Sequence, residues 1–234
     1  QPDAHWHGSD NLVDDYVLID PIKVTLLPPG LSMDGSMGKL GIPAAVLSKF
    51  LWGRGITVEK TNLYSVLFLF SMGITKGKWS TLVTELMAFK ELYDRNAPLS
   101  QALPSLAADY PHAYAGWGLR DLCDALHAFN QEFAVAKVMR EMYVDLPTPV
   151  MTPADAYNHL VKGEIERVDI EQISGRIAAT MLVPYPPGIP TIMPGERFGD
   201  HDEPIIQSLR IAREQNARFP GFESDVHGLI IERD

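Results

Sequence analysis

The stretch GITVEKTNLYSVLFLFSMGITKGKWSTL, residues 55–82, decides how the first third of the chain folds. Val66 to Phe70 is a short, dense apolar run, which predicts a buried strand. The triplet Glu59-Lys60-Thr61 stands just upstream, at the junction of two such runs. Charged residues beside a core form either a solvated turn or a placed functional group, and these residues alone leave both interpretations open.

The residues around this stretch predict a small α+β unit over 1–95, with a few strands and helices on one face. Strands are predicted at 16–19, 23–27, 57–58 and 63–70. A helix is predicted within GIPAAVLSKFLWGRG (41–55), with Pro43 in its first turn and Gly53 just past its end. Apolar residues spaced by three and four from Trp79 to Tyr93 predict a second, amphipathic helix.

A second unit is predicted over residues 96–234, because the proline-rich stretch 96–116 looks irregular and suggests a domain boundary near its start. Apolar periodicity from Leu119 to Met142 predicts one long amphipathic helix. Further predicted elements are helices at 152–163, with Thr152 as N-cap, and at 204–219, strands at 168–170 and 177–183, and a non-helical proline-rich segment at 181–198.

The composition excludes several classes of protein. The net charge is −10, from 30 acidic against 20 basic residues, which argues against a nucleic-acid partner. The single cysteine, Cys123, allows no internal disulfide and fits a reducing cytoplasm. Apolar runs are too short for a membrane span, so no membrane association is expected.

Short motifs give no catalytic centre. GSMGKLG (35–41) lacks the Lys-Ser/Thr of a phosphate loop and is interpreted as a loop ahead of a helix. His5 and His7 could share a face and hold a metal, but no third ligand stands near them. Asp225 and His227 could belong to a triad, but no G-x-S-x-G elbow accompanies them. No metal site is therefore predicted.

Glu59 is the candidate binding residue. A carboxylate at the edge of an apolar sheet is a suitable counter-charge for a cationic ligand. Composition alone favours the alternative, a solvated turn. The residues by themselves therefore indicate only an acidic α+β segment.

Whole phrases of the chain resemble the C-terminal part of bacterial ornithine/lysine/arginine decarboxylases, which are pyridoxal-phosphate enzymes of the aspartate-aminotransferase fold. The order and spacing of seven stretches carry this resemblance, which is nearest to lysine decarboxylases of the pseudomonad type. The stretches are DPIKVTLLPPG (20–30), GIPAAVLSKFLWGRGITVEKT (41–61), LFLFSMGITKGKW (67–79), GLRDLCDALH (118–127), MTPADAYNHLVKGEIERV (151–168), GRIAATMLVPYPPGIPTIMPGERF (175–198) and FPGFESDVHG (219–228).

The resemblance implies the small aminotransferase-fold domain over 1–95, a short and mostly antiparallel sheet with helices on one face. It implies the family's α+β C-terminal domain over 96–234. In this family the cofactor lysine follows Ser-x-His in a large central domain, and that motif is absent here. Pyridoxal phosphate would therefore be bound by a missing large domain, and this segment alone should be inactive.

The resemblance also implies roles for individual residues. Glu59 matches a glutamate that holds the distal cationic group of the substrate, and Lys60 and Thr61 are expected to be scaffold. Arg120 matches an arginine of a nucleotide-effector site between dimers, with a surface arginine at a helix start as the alternative. The proline-rich stretch 184–190 and Glu196 match family motifs that are expected to shape the C-terminal domain, with the cleft entrance as a further expected role.

The implied activity is decarboxylation of lysine, with arginine or ornithine possible, releasing carbon dioxide and a polyamine precursor. The implied partners are a basic amino acid and further copies of the chain, as a dimer and possibly a decamer. The alternative is a stand-alone, non-catalytic assembly or regulatory module derived from this family.

Overall fold

The computed structural model describes residues 20–185, 188–223 and 225–227. The predicted strand at 16–19 and the His5–His7 pair lie outside the described residues. The side chains of Asp225 and His227 are also outside the described set, so the structure does not address the possible triad.

A three-stranded antiparallel sheet forms the first part of the fold, from β1 (Lys23–Leu26), β2 (Lys60–Thr61) and β3 (Val66–Leu69) in the order β1-β3-β2. Val24 lies opposite Phe68, and both Val66 and Phe68 are buried, as the apolar run predicted. The strand predicted at 57–58 is wrong, since the paired residues are 60–61.

Two helices accompany this sheet, α1 (Ala44–Trp52) and α2 (Lys76–Asp94), and both were predicted. The rings of Phe50 and Phe89 meet edge to face with centroids 5.0 Å apart, which joins the two helices. The details at the ends of α1 differ from the prediction. Pro43 is the N-cap residue and lies just before the first helical turn. Gly53 keeps a right-handed helical backbone conformation, and the positive φ of 75° occurs at Gly55.

The interpretation of 96–116 as irregular is wrong, because α3 (Leu99–Ala102) and α4 (Pro104–Asp109) lie there. Pro98 is the N-cap residue of α3, and Pro104 is in the first turn of α4. A helix leaves its first N–H groups unpaired in any case, so a proline at these positions removes no hydrogen bond.

The long helix predicted from 119 to 142 is also wrong, because it is two helices, α5 (Leu119–Glu132) and α6 (Val135–Glu141). Ala134 separates them with φ of 47° and ψ of 40°, a left-handed conformation that stops the helical hydrogen bonding. The bend lets α6 pack against the last long helix of the chain.

The remaining elements are β4 (Thr148–Pro149), α7 (Pro153–Val161), a 3₁₀ turn at Ile170–Gln172, β5 (Val183–Tyr185), β6 (Glu196–Arg197), α8 (Pro204–Arg218) and β7 (Asp225–His227). The four strands among them form two antiparallel pairs, β4 with β6 and β5 with β7. The predicted N-cap is confirmed, since Thr152 Oγ1 accepts a hydrogen bond from Asp155 N at 3.2 Å. The strand predicted at 168–170 is wrong. The strand predicted at 177–183 is reduced to two isolated bridges, Ile177 to Arg197 and Leu182 to Ile192, and to Val183 at the start of β5.

The described residues bury two apolar clusters. The larger joins α1, the sheet, α2 and α5, and it also takes in Phe219 and Phe222 from the end of the chain. The smaller surrounds Ile205, Ile206 and Leu209 of α8. Short antiparallel sheets with packed helices confirm the predicted α+β class.

Candidate functional site

Glu59 lies in a bend that enters β2, and its carboxylate is exposed. Its backbone N–H donates to the carbonyl of Leu67 at 2.9 Å, so the main chain at this position is tied to the central strand. Within the described part of the chain, no lysine, arginine or histidine is placed to form an ion pair with it. Among the described residues, the carboxylate therefore has no cationic partner.

The neighbours of Glu59 fix the strand that carries it. Thr61 Oγ1 and Ser48 Oγ lie 2.7 Å apart, and this hydrogen bond joins β2 to α1. Lys60 is paired with Leu67 across the sheet. Both arrangements agree with the scaffold role expected for Lys60 and Thr61.

A buried polar network lies beside this sheet, and sequence reasoning did not find it. Tyr64 Oη is 2.6 Å from His127 Nδ1, and His127 Nε2 is 2.8 Å from the carbonyl oxygen of Gly38. Because a carbonyl only accepts, Nε2 carries a proton and donates, and in the neutral imidazole Nδ1 then accepts from the tyrosine hydroxyl. Asn130 Nδ2 in turn donates to Tyr64 Oη at 3.1 Å. Burial is the main cause that raises the pKa of Tyr64 to about 12.

Gly41 has no side chain, and the His127 ring occupies the space that a side chain would fill. A β-carbon at this position would lie 2.1 Å from His127 Nδ1 and 2.5 Å from Cε1, which no packed structure tolerates. The predicted loop 35–41 is therefore held against α5 by an imidazole. Gln131 adds a second donor to the carbonyl of Gly38 at 2.7 Å.

Arg120 lies in the first turn of α5 and is exposed. Its Nη1 donates to the carbonyl of Asp94, the last residue of α2, at 3.2 Å. Beside it, the Asn96 amide and the Gly118 N–H both donate to the Asp121 carboxylate, at 3.0 and 2.9 Å, and these bonds hold the pKa of Asp121 below its ordinary value. The guanidinium thus joins a cluster that connects α2 to α5.

A cavity of about 380 Å³ opens between α1 and α5 on one side and α6 and α8 on the other. Its walls are mostly aliphatic, and Thr61 and Ser48 stand at the end near β2. Lys49 and Glu223 are its charged wall residues. Sequence reasoning missed this cavity, because the elements that line it lie far apart along the chain.

Other predicted features have structural explanations. Cys123 is fully buried, and burial raises the pKa of its thiol well above the ordinary range, as expected for a packed side chain. Glu196 accepts a hydrogen bond from Met193 N at 2.7 Å, which stabilises the turn before β6.

The described ranges contain neither a metal-ligand cluster nor a membrane-spanning helix. Over 20–185, 188–223 and 225–227, no three His, Cys, Asp or Glu side chains are gathered as metal ligands would be. Across the same ranges, no helix has the length and apolar character that crossing a bilayer requires.

Comparisons with known proteins point in one direction. A model of the Orn/Lys/Arg decarboxylase major domain matches residues 1–78, and a model of the Orn/Lys/Arg decarboxylase C-terminal domain matches residues 136–234. The lysine decarboxylase LdcA of Pseudomonas aeruginosa is 59% identical over 229 residues, which cover 98% of this chain and 30% of that protein. The biodegradative arginine decarboxylase of Escherichia coli is 43% identical, with 98% of this chain and 30% of that protein covered.

Solved structures agree. Lysine decarboxylase A from Pseudomonas aeruginosa superposes with a TM-score of 0.91 at 58% identity, covering 100% of this chain and 31% of that chain. This chain thus spans under a third of the length of the relatives it matches.

Proposed function

The chain belongs to the Orn/Lys/Arg decarboxylase family, and on this premise we propose that the whole protein decarboxylates a basic amino acid, with lysine as the substrate. The observation that carries the proposal is the greater similarity to a lysine decarboxylase than to an arginine decarboxylase. The products would be carbon dioxide and a diamine, a polyamine precursor. Further copies of the chain are the proposed partners, in the cytoplasm.

The residues described here do not fit a pyridoxal-phosphate site. A Schiff-base lysine has to lie beside the buried cofactor, whereas every lysine in the described ranges is exposed or half-exposed. No lysine in the sequence follows Ser-x-His. We therefore assign cofactor binding to parts of the protein outside this chain. What this chain contributes is substrate recognition.

Glu59 is the residue we propose for that recognition. Its carboxylate is exposed, it has no cationic partner among the described residues, and its main chain is tied to β3. A carboxylate held in this way can accept charge-assisted hydrogen bonds from the distal ammonium of lysine, at the end of the substrate away from the reacting carbon. Once the rest of the protein covers it, the same carboxylate would interact more strongly, because the local dielectric falls.

For Arg120, the geometry favours the structural alternative over an effector site. Its guanidinium already donates to the carbonyl of Asp94. A role in binding a nucleotide effector stays a prediction, and the guanidinium has further N–H donors that could meet a phosphate.

The test is Glu59→Gln in the full-length protein, assayed by carbon dioxide release from lysine, arginine and ornithine. Losing a charge-assisted bond of about 1.5–3 kcal/mol predicts a fall in kcat/KM for lysine of about tenfold to a hundredfold. Glu91→Gln is the matched control, because Glu91 is an exposed acid on α2. An unchanged kcat/KM removes Glu59 from the site. If the wild-type protein releases carbon dioxide from none of the three amino acids, the decarboxylase proposal fails and the non-catalytic module takes its place.

A further inference from the structure

We propose that the cavity between α1, α5, α6 and α8 binds an α-amino acid with an apolar side chain. The inference is separate from the substrate site, since Glu59 is not part of the cavity wall. It rests on the size and lining of the cavity, on the two charged residues of its wall and on the elements that it connects.

The interior suits a large apolar group. Val138 of α6, Leu209 of α8 and Leu126 of α5 contribute to the wall, and each of these side chains is at most 5% exposed. Cavities that take small molecules commonly measure about 300–1,000 Å³ and combine such a lining with a few polar groups. At about 380 Å³, this one is at the lower end of that range.

Two opposite charges complete the wall. Lys49 is half-buried and its Nζ lies 5.3 Å from the centre of the Phe222 ring. Glu223 is the next residue along the chain, exposed, and its Oε1 accepts from Gly221 N at 2.7 Å. In the described ranges neither Lys49 nor Glu223 forms an ion pair with another side chain.

The two opposite charges indicate which chemical class of ligand the cavity would bind. A single free carboxylate or amine would satisfy one of them and leave the other without a partner. An α-amino acid carries both charged groups on one carbon atom, so its carboxylate can pair with Lys49 and its ammonium with Glu223. Its side chain then enters the aliphatic interior, which has no charged group to meet a basic or acidic side chain.

Occupancy would be transmitted to the substrate-recognition strand. Lys49 follows Ser48, whose hydroxyl is 2.7 Å from that of Thr61 in β2. Both Ser48 and Thr61 are also part of the cavity wall. A ligand that fixes α1 against α8 therefore acts two residues away from Glu59.

The test is isothermal titration of the full-length protein with L-leucine and L-phenylalanine. Saturable binding of at least one is expected, and N-acetyl-L-leucine and 3-methylbutylamine, which each lack one charge, should bind at least tenfold more weakly. Absence of saturable binding by both amino acids overturns the proposal. Equal binding of either one-charge analogue overturns the assignment to an amino acid.

Variants locate the binding. Val138→Trp fills the cavity and should abolish binding, and Ala212→Phe, on a half-buried position of α8, repeats the test should the first variant fail to fold. Lys49→Met should weaken binding at least tenfold, whereas Lys162→Met, at the exposed end of α7, should not. Binding that survives a folded cavity-filling variant lies elsewhere, for example at the substrate site, and refutes the inference. Because binding is measured without turnover, this outcome does not depend on whether the protein is a decarboxylase.

Discussion

Gly41→Ala should release the loop 30–41 from α5. The new β-carbon would lie 2.1 Å from His127 Nδ1, so the imidazole has to move. Moving it breaks the hydrogen bonds to Tyr64 Oη at 2.6 Å and to the Gly38 carbonyl at 2.8 Å. Two such bonds contribute about 1 kcal/mol each, and a ring nitrogen left buried without a partner costs about 1–3 kcal/mol more. The sum is about 3–5 kcal/mol, which corresponds to a change of at least about a hundredfold in a local opening equilibrium.

Hydrogen exchange of the full-length protein measures this opening directly. The amides of Gly38 and Ile42 donate to the carbonyls of Gly30 and Pro29 at 2.9 and 2.8 Å, so they report whether the loop is closed. Peptides covering 29–42 should exchange at least about a hundredfold faster in Gly41→Ala. Gly73→Ala is the matched control, since a β-carbon there would meet no atom within 4 Å.

A second substitution checks the cause. In His127→Ala the clashing ring is gone, so adding Gly41→Ala should change exchange very little further. If Gly41→Ala exchanges like Gly73→Ala, or if its effect adds in full to that of His127→Ala, the steric explanation is refuted.

Three further predictions concern stability and reactivity. Ala134→Gly should stabilise the protein by about 0.5–1 kcal/mol, seen as a higher melting temperature, because φ of 47° is strained for alanine and free for glycine; an unchanged or lower value contradicts this. The pKa of Tyr64 is raised from 10.0 in the unfolded chain to about 12 in the fold, so between these values the folded protein keeps the proton that the unfolded chain loses. The contribution of Tyr64 to the free energy of unfolding is therefore complete below pH 10, and it falls by about 2–3 kcal/mol as the pH rises to 12. A melting series across that range should show a shallower loss in Tyr64→Phe, and an identical slope would count against this assignment. Cys123 should resist thiol reagents at pH 8 until the protein unfolds, and rapid labelling of the native protein at this residue would contradict its burial.

The helices that sequence reasoning placed correctly are those whose local signals agree. Apolar periodicity was enough for α2, and Thr152 with Pro153 marked the start of α7 by an N-cap that the structure confirms. The break at Ala134 could not be predicted, because the apolar periodicity of Phe133 and Met139 continues through it. The bend is explained by tertiary packing, because it places α6 in contact with α8. In addition, Arg218 of α8 stacks over Phe133, with 5.2 Å between the guanidinium and the ring centre.

The candidate site also has one part that the sequence predicted and one part that it did not. The position of Glu59 ahead of a buried strand was predictable, because the charge stands out against the apolar run that follows. The network of Tyr64, His127 and Asn130 was not, because Tyr64 is more than sixty residues from the other two and each alone resembles an ordinary core residue. The signal that could have indicated it is a histidine and an asparagine on the apolar face of an otherwise regular helix.

The position of Glu59 depends on contacts made by its neighbours, because its own side chain has no partner among the described residues. Its strand is held by the Leu67 carbonyl, by the hydroxyl pair of Thr61 and Ser48, and by the turn that contains Tyr64. Tyr64 bonds this turn to α5, and Thr61 bonds the strand to Ser48 of α1. A carboxylate that selects one end of a flexible substrate has to be placed to within about 0.5 Å. The buried network includes the first of these connections, at Tyr64, and the cavity wall includes the second, at Ser48 and Thr61. Both therefore help to set the position of Glu59. Substitutions in either would act on substrate recognition through the position of Glu59, without touching the substrate.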